Sequence, residues 1–505
     1  MTSVDLTIRI AGENGEGVLT VGDVLAEALA RLGLDIYTFK NLPAEIKGGA
    51  SMTQVRVQDT EVRSPGDALD ILMVWNQENY DIHVGEVKPT GAVIYDPGLC
   101  TADESLDLIQ IGVPLHQITK EIIKVMKSKN VLAFGVLTSC LGIPFETGRQ
   151  MVTESRWGRR KEFLESNINA LKHAYDYVAE QGIDLGTRMP IGKKNGHPRL
   201  IMTGNDALCM GSMAAGCRYY AGYPITPASD IMETLAKAMP KVDGVLMQTE
   251  DEIAAITAII GASFTGAKAM TATAGPGLSL MVEALGLATM EEIPIVVVDV
   301  QRGGPSTGMP TKTEQSDLNL AIYGCHGDAP RIVIAPTNAE DCFYTAVQAF
   351  NLAEKYQVPV ILLSDQHLSQ RTQGILRPDL SKLEIIQRRQ APSTNGSSPQ
   401  EFDRYEMTED YISPMPLPGK HHQHYVATGL EHDEHAHINY SPEAHIRMTE
   451  KRTKKIEPAT EEHDMVRRYG SEEAQLGLIA WGSSEGPIRE AIERAEAKGY
   501  KVAAL

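Results

Sequence analysis

Short apolar runs recurring along the chain constrain its fold most. Ile295-Val-Val-Val298 sets four β-branched residues in a row. A strand with one face in water alternates apolar and polar residues, so a continuous run predicts a strand covered on both faces. Strand-like runs recur at Val4–Ile10, Ser51–Val57, Ile71–Trp75, Ala92–Tyr95 and Val131–Val136. A second series lies at Val245–Gln248, Lys268–Thr273, Ile332–Ala335 and Val358–Leu363. Helical stretches separate them, Val18–Leu32 being the clearest, with Leu25, Leu29 and Leu32 on one face. This alternation predicts an α/β fold of several doubly wound, mostly parallel sheets. None of the runs approaches the roughly 20 apolar residues needed to span a bilayer.

The pattern divides the chain into five regions. Residues 1–187 form one α/β domain and 201–385 a second, with Asn205 expected to cap a helix Asn205–Gly216. The turn-forming, basic stretch within 188–200 reads as a linker. Over 386–470 periodicity fades, which predicts an extended segment with little core of its own. Residues 471–505 resume strand, loop, helix and strand, and read as the incomplete start of a further α/β domain, since one such unit cannot cover both faces of a sheet.

The net charge of −19 argues against a duplex-coating nucleic-acid binder and against an anionic membrane surface. Six cysteines are scattered with no C-x-x-C pair. That predicts a reduced, cytoplasmic protein without a disulfide framework, and no iron–sulfur cluster or cysteine-type zinc site held by this chain alone. The opening MTSVDLTIRI has neither the basic nor the apolar region of a signal peptide. Eight of the fourteen histidines lie between His421 and His463 without a recognisable ligand spacing, so no metal site is expected there.

Several loops could carry chemistry. Gly12-x-x-Gly15-x-Gly17 sits where a strand meets a helix, a place suited to phosphate. Its spacing is the reverse of the dinucleotide fingerprint, so a tight turn is expected rather than a nicotinamide site. Lys47 lies beside two glycines, and by itself reads as a solvated loop lysine. Two prolines in Tyr223-Pro224-Ile225-Thr226-Pro227 hold Thr226 in place, either as a cap or toward a ligand. Glu250-Asp251-Glu252 heads a helix of small, apolar residues. Acidic residues there complement the helix dipole. A desolvated carboxyl group favours its neutral acid, which can donate to a ring nitrogen. Arg302 ends an apolar strand and opens a glycine-rich loop, where it could fork a substrate carboxylate or lie on the surface.

Taken together, these segments resemble the 2-oxoacid:ferredoxin oxidoreductases. The resemblance rests on Tyr223-Pro-Ile-Thr-Pro-Ala-Ser, Gln248-Thr-Glu-Asp-Glu-Ile-Ala-Ala, Thr273-Ala-Gly-Pro-Gly-Leu-Ser-Leu-Met-Val-Glu-Ala, Gln301-Arg-Gly-Gly-Pro-Ser-Thr-Gly-Met-Pro-Thr-Lys and Thr428-Gly-Leu-Glu-His-Asp-Glu, in that order. The layout is most similar to the alpha subunit of the 2-oxoglutarate enzymes, with a gamma domain (1–187) fused ahead of a pyrimidine-binding domain (201–385).

The resemblance implies a thiamine diphosphate enzyme that converts a 2-oxoacid and CoA into acyl-CoA and CO2 and reduces ferredoxin. A beta subunit would share the thiamine diphosphate and supply Mg2+ and a [4Fe-4S] cluster, in an (alpha–beta)2 assembly. Carried over by position, Glu252 (with Glu250 the alternative) would hydrogen-bond the aminopyrimidine. Tyr223, Pro224, Ile225 and Thr226 would line the cofactor. Thr226, Arg302, Lys47 and Lys312 would face the substrate, the two lysines as candidates for a distal carboxylate. A pyruvate enzyme, a transketolase-like subunit and a non-catalytic assembly subunit are the competing readings.

Overall fold

The computed structural model describes residues 4–43, 48–186, 189, 199–392, 400–420, 423–462 and 465–505. It contains two compact units: Met1–Met202 with Arg371–Arg377, and Thr203–Gln370 with Pro378–Leu505.

The first unit is built on a six-stranded sheet. Its strands are β1 (Asp5–Glu13), β2 (Asp35–Asn41), β3 (Ala50–Gln58), β4 (Leu69–Val74), β5 (Val87–Tyr95) and β6 (Ile109–Gly112), in the order β2-β3-β1-β4-β5-β6. β3 runs antiparallel to β1 and β2, and the other pairs are parallel. The helix Val18–Arg31 buries Val18, Val21, Leu25 and Leu29 against Ile8, Ile10, Val55 and Val57. A short β7 (Arg199–Thr203) pairs with the strand Thr372–Leu376.

One expectation fails here. Val131–Val136 is not a strand but the middle of a helix, Lys129–Cys140. Nine of its twelve residues are buried, so it has no polar stripe to betray its period. Enclosed helices and enclosed strands both appear as plain apolar runs.

The second unit carries β8 (Tyr219–Gly222), β9 (Val245–Gln248), β10 (Ala269–Thr273), β11 (Ile295–Gln301), β12 (Ile332–Ile334) and β13 (Pro359–Asp365). All neighbours are parallel, in the order β12-β13-β11-β10-β8-β9. Every residue of β11 is buried, as its apolar run requires. The chain leaves β8 toward β9 and β10 toward β11, so the connections diverge between β8 and β10. In open α/β sheets, ligands bind beyond the carboxyl ends of the strands at such a switch point.

One local expectation is corrected. The first helix of the unit is Gly204–Ala214, and its cap is Thr203, whose side chain accepts from the Asp206 N–H. Asn205 instead donates from Nδ2 to the Pro227 carbonyl at 3.1 Å. Gly275 opens the helix Gly275–Met290.

The segment after 385 has more structure than its composition suggests. It holds a helix, Pro442–Lys454, with Met448, Lys451 and Arg452 buried. Lys451 Nζ reaches Glu292 at 2.7 Å, and Lys455 Nζ reaches the same carboxylate at 3.0 Å. Arg388 forms a second buried ion pair with Glu354 at 2.6 Å. Charged residues with distant partners thus dock a chain segment that reads as solvated. At the C-terminal end, short strands Tyr469–Gly470, Leu476–Leu478 and Val502–Ala504 form a small sheet beside the helix Glu485–Glu496.

Candidate functional site

The switch point of the second unit gathers most of the predicted site. Beyond β8 lies Tyr223–Pro227, in which Tyr223, Pro224 and Thr226 are exposed and Ile225 is half-buried. Beyond β9 the chain turns through Asp251, whose side chain caps the helix Glu252–Phe264 by accepting from the Ala254 N–H. Glu252 is therefore the first helical residue, and its side chain is buried. Glu250 precedes the helix and is exposed.

Glu252 is enclosed by the start of the neighbouring helix. A Cβ placed on Gly277 would stand 1.9 Å from Thr273 Oγ1, 2.7 Å from Glu252 Cγ and 2.8 Å from Glu252 Oε1. Only glycine fits there, and the carboxyl group occupies the space a side chain would take. A buried carboxyl at a ligand-binding crevice, with no ion pair to a lysine or arginine among the described residues, could donate to or accept from a ring nitrogen.

Arg302 connects two of the loops. Its Nη1 donates to the Thr226 carbonyl at 2.6 Å and its Nη2 to the Thr307 carbonyl at 2.9 Å. Its Nε is buried and has no partner among the described residues. Burial pushes the guanidinium pKa down, and the Glu252 carboxylate opposes that shift. One N–H of a buried arginine thus remains open in a loop already holding Thr226. Lys312 lies exposed on the return limb, where its carbonyl accepts from the Gly303 N–H at 2.9 Å. The structure thereby brings Glu252, Thr226 and Arg302 together and keeps Lys312 on the same loop as Arg302. Lys47 lies outside the described residues.

Gly277, Thr273 and Thr307 are additions the sequence did not single out. The signal for the first was present in Ala274-Gly-Pro-Gly, whose glycines carried no assigned role.

A cavity lies within the first unit, beside the glycine turn whose place suits phosphate. It measures about 690 Å3 and is lined by Gly15, Lys127, Lys129, Arg156, Arg160 and Phe163 among others. It opens at the glycine turn before the helix Val18–Arg31. Gly17 has φ of +95°, and a Cβ there would meet Asn130 Nδ2 at 1.9 Å. Lys129 Nζ stands 4.7 Å from the Trp75 ring centroid, and Arg156 Nη1 donates to Thr20 Oγ1 at 3.0 Å. Four cations, of which Lys129 also pairs with the lining Glu16 carboxylate at 3.3 Å, together with a helix N-terminus and aromatic walls suit a polyanion carrying a ring. The basic run Arg156-Trp-Gly-Arg-Arg-Lys161 was the available signal.

Among the described residues, no group of three His, Cys, Asp or Glu could hold a metal ion. The histidine-rich segment forms exposed pairs instead: His435–Asp403 at 2.7 Å, His437–Glu401 at 2.9 Å and His445–Glu431 at 2.6 Å. His421, His422 and His463 lie outside the described residues. No described helix is long and apolar enough to cross a membrane. None of the six cysteines forms a disulfide.

Comparison with known proteins places this geometry. The family described as "Pyruvate flavodoxin/ferredoxin oxidoreductase, thiamine diP-bdg" matches residues 210–451, and "Pyruvate ferredoxin/flavodoxin oxidoreductase" matches 7–177. The chain is similar to 2-oxoacid:ferredoxin oxidoreductase 2, subunit alpha, of Aeropyrum pernix, at 32% identity over 99% of this chain and 86% of that protein. It is also similar to 2-oxoglutarate oxidoreductase subunit KorA of Mycobacterium tuberculosis, at 35% identity over 99% of this chain and 81% of that protein. Its fold matches the 2-oxoglutarate:ferredoxin oxidoreductase of Magnetococcus marinus, solved with 2-oxoglutarate, coenzyme A and succinyl-CoA bound. The TM-score is 0.93 and the identity 42%, over 100% of this chain and 87% of that one.

Proposed function

The chain belongs to the 2-oxoacid:ferredoxin oxidoreductases, and from that premise we propose that it is the alpha subunit of a 2-oxoglutarate:ferredoxin oxidoreductase. The reaction is the oxidative decarboxylation of 2-oxoglutarate with CoA to succinyl-CoA and CO2, its two electrons passing to ferredoxin. The observation that carries this reading is the buried Glu252 at the β8/β10 switch point, walled by Gly277.

Thiamine diphosphate, when bound, supplies the electron sink for the departing CO2. The residues of this chain then have distinct tasks. Glu252 hydrogen-bonds the aminopyrimidine and holds its proton in place. Tyr223, Pro224 and Ile225 wall the ring, and the helix start at Gly275–Gly277 excludes water behind it. Thr226 and Arg302 meet the 2-oxoacid, Arg302 through its open Nε. Lys312 and Lys47 are the candidates for the distal carboxylate that distinguishes 2-oxoglutarate from pyruvate. The basic cavity of the first unit takes the phosphates and adenine of CoA.

A beta subunit completes the assembly with Mg2+, the diphosphate site and a [4Fe-4S] cluster, as an (alpha–beta)2 complex in the cytoplasm. The scattered cysteines, with no C-x-x-C pair, support a cluster held on the other chain. Three relatives, from Mycobacterium tuberculosis, Methanocaldococcus jannaschii and Methanothermobacter thermautotrophicus, are named for 2-oxoglutarate, which favours this substrate over pyruvate. The test is viologen reduction by the purified complex with a panel of 2-oxoacids. Reduction with 2-oxoglutarate that needs both CoA and thiamine diphosphate supports the reading. A preference for pyruvate overturns the substrate, and activity without CoA overturns the reaction.

A further inference from the structure

We propose that Asp299 and Asp317 share a single proton and act as a positioning pair for the loop that carries Arg302, an inference that rests on the site reading above.

Asp299 lies in β11 opposite Thr273 of β10 and Leu363 of β13, with its side chain completely buried. Neither of its carboxyl oxygens accepts a hydrogen bond from an N–H or hydroxyl group among the described residues. Its carboxyl group meets that of Asp317, one oxygen of which is likewise buried without a donor. Two carboxylates in contact away from water cannot both be ionised, and one proton remains between them.

The surroundings offer no cation to replace that proton. Glu314 faces Asp317 from the loop. Asp365 ends β13 and is held by Gln315 Nε2 at 3.1 Å. Glu252 stands at the third residue of the helix Gly275–Met290. Arg302 follows Asp299 by three residues, but its two Nη groups are taken by the Thr226 and Thr307 carbonyls. Burial, and then Asp317, hold the Asp299 carboxyl well above the usual carboxylate range.

The pair touches both walls of the site. Asp317 closes the loop that Arg302 opens: its backbone N–H donates to Gln301 Oε1 at 3.0 Å, and Gln301 Nε2 donates to the Ser364 carbonyl at 2.9 Å. The Asp317 carboxyl also stands 2.7 Å from where a Cβ on Gly275 would be. That residue opens the helix whose Gly277 encloses Glu252. Losing the proton sets two charges against each other at the joint between the Arg302 loop and this helix.

The sign of the pH dependence follows. A carboxyl group whose folded pKa is raised retains a proton that the unfolded chain releases. Its contribution is complete at low pH and is lost as pH rises through the folded value.

Infrared spectra and hydrogen exchange of the full chain test this. Wild type should show a protonated-carboxyl band at neutral pH, absent from Asp299→Asn and lost from wild type in alkali. Protection of residues 302–317 in wild type should fall about tenfold per pH unit above the ordinary carboxylate range for as long as the band persists, and level off once the band disappears. Asp299→Asn, whose amide still donates to Asp317, should keep its protection. Asp317→Asn gives a second acid–amide pair, and should behave alike if the first variant does not fold. In the assembled enzyme, KM for the 2-oxoacid should rise with pH in wild type and stay level in Asp299→Asn. Absence of the band at neutral pH overturns the proposal, as does loss of protection in the asparagine variants at the wild-type pH. Should the band and exchange behave as stated while the complex oxidises no 2-oxoacid, the pair stands and the functional reading falls.

Discussion

Glu252 and Gly277 fill one another's space: the glutamate's Oε1 lies 2.8 Å from the point a Cβ on Gly277 would occupy. The carboxyl group heading one helix is thus positioned by the bare backbone of the next. Gly277→Ala gains up to about 1 kcal/mol in helix propensity but collides with Thr273 and Glu252. The expected outcome is at least a tenfold weaker affinity of the complex for thiamine diphosphate, read by titration of activity. Unchanged affinity would show that Glu252 can move aside without loss.

Arg302 serves two carbonyls with one planar guanidinium, which a lysine cannot do. Hydrogen bonds from charged donors contribute about 1.5–3 kcal/mol each, so Arg302→Lys should raise KM for the 2-oxoacid about tenfold to a hundredfold. Steady-state kinetics check this. CoA should be bound as in wild type, since its proposed cavity lies in the other unit.

The converse holds for that cavity. Lys129→Gln combined with Arg160→Gln should raise KM for CoA at least tenfold and leave KM for the 2-oxoacid unchanged. Each removed phosphate contact should also flatten the salt dependence of CoA binding. A double variant that changes only the 2-oxoacid KM would move the CoA site elsewhere.

Buried Glu292 should govern how the segment after residue 385 is held. Glu292→Gln leaves Lys451 and Lys455 without a counter-charge, and breaking a buried pair typically destabilises by about 3–5 kcal/mol. Burial first of all pushes the Lys455 pKa down to about 7, with Glu292 opposing. The unfolded lysine binds a proton that the folded one lacks between that value and the ordinary lysine range, so folding becomes more favourable as pH rises through this window. Denaturation at pH 7 and pH 9 should show wild type gaining stability relative to Lys455→Met. An equal response of the two proteins would mean that Lys455 titrates normally.

The same residues show what the sequence could and could not disclose. β11 was legible because four β-branched residues in a row admit few alternatives, and the helix after Gly17 because its apolar positions recur at helical spacing. Val131–Val136 was not, since burial on every side erases the period that separates helix from strand. The helix Pro442–Lys454 was hidden for the opposite reason: Lys451, Arg452 and Lys455 read as solvated, and Glu292, which partners Lys451, lies 159 residues away. At the site, Glu252, Thr226 and Arg302 could be named from their loops. Their arrangement could not, because the contact from Arg302 to the Thr226 carbonyl joins two strand ends 76 residues apart.

The central claim is that this chain contributes the carboxyl group that works on the thiamine ring. Its most direct test is the turnover of the assembled complex carrying Glu252→Gln, with 2-oxoglutarate, CoA and viologen. An amide keeps the shape but cannot exchange the proton, so the rate should fall by about 10²–10⁴ while the complex still assembles and binds thiamine diphosphate. Turnover within a few-fold of wild type would contradict the account.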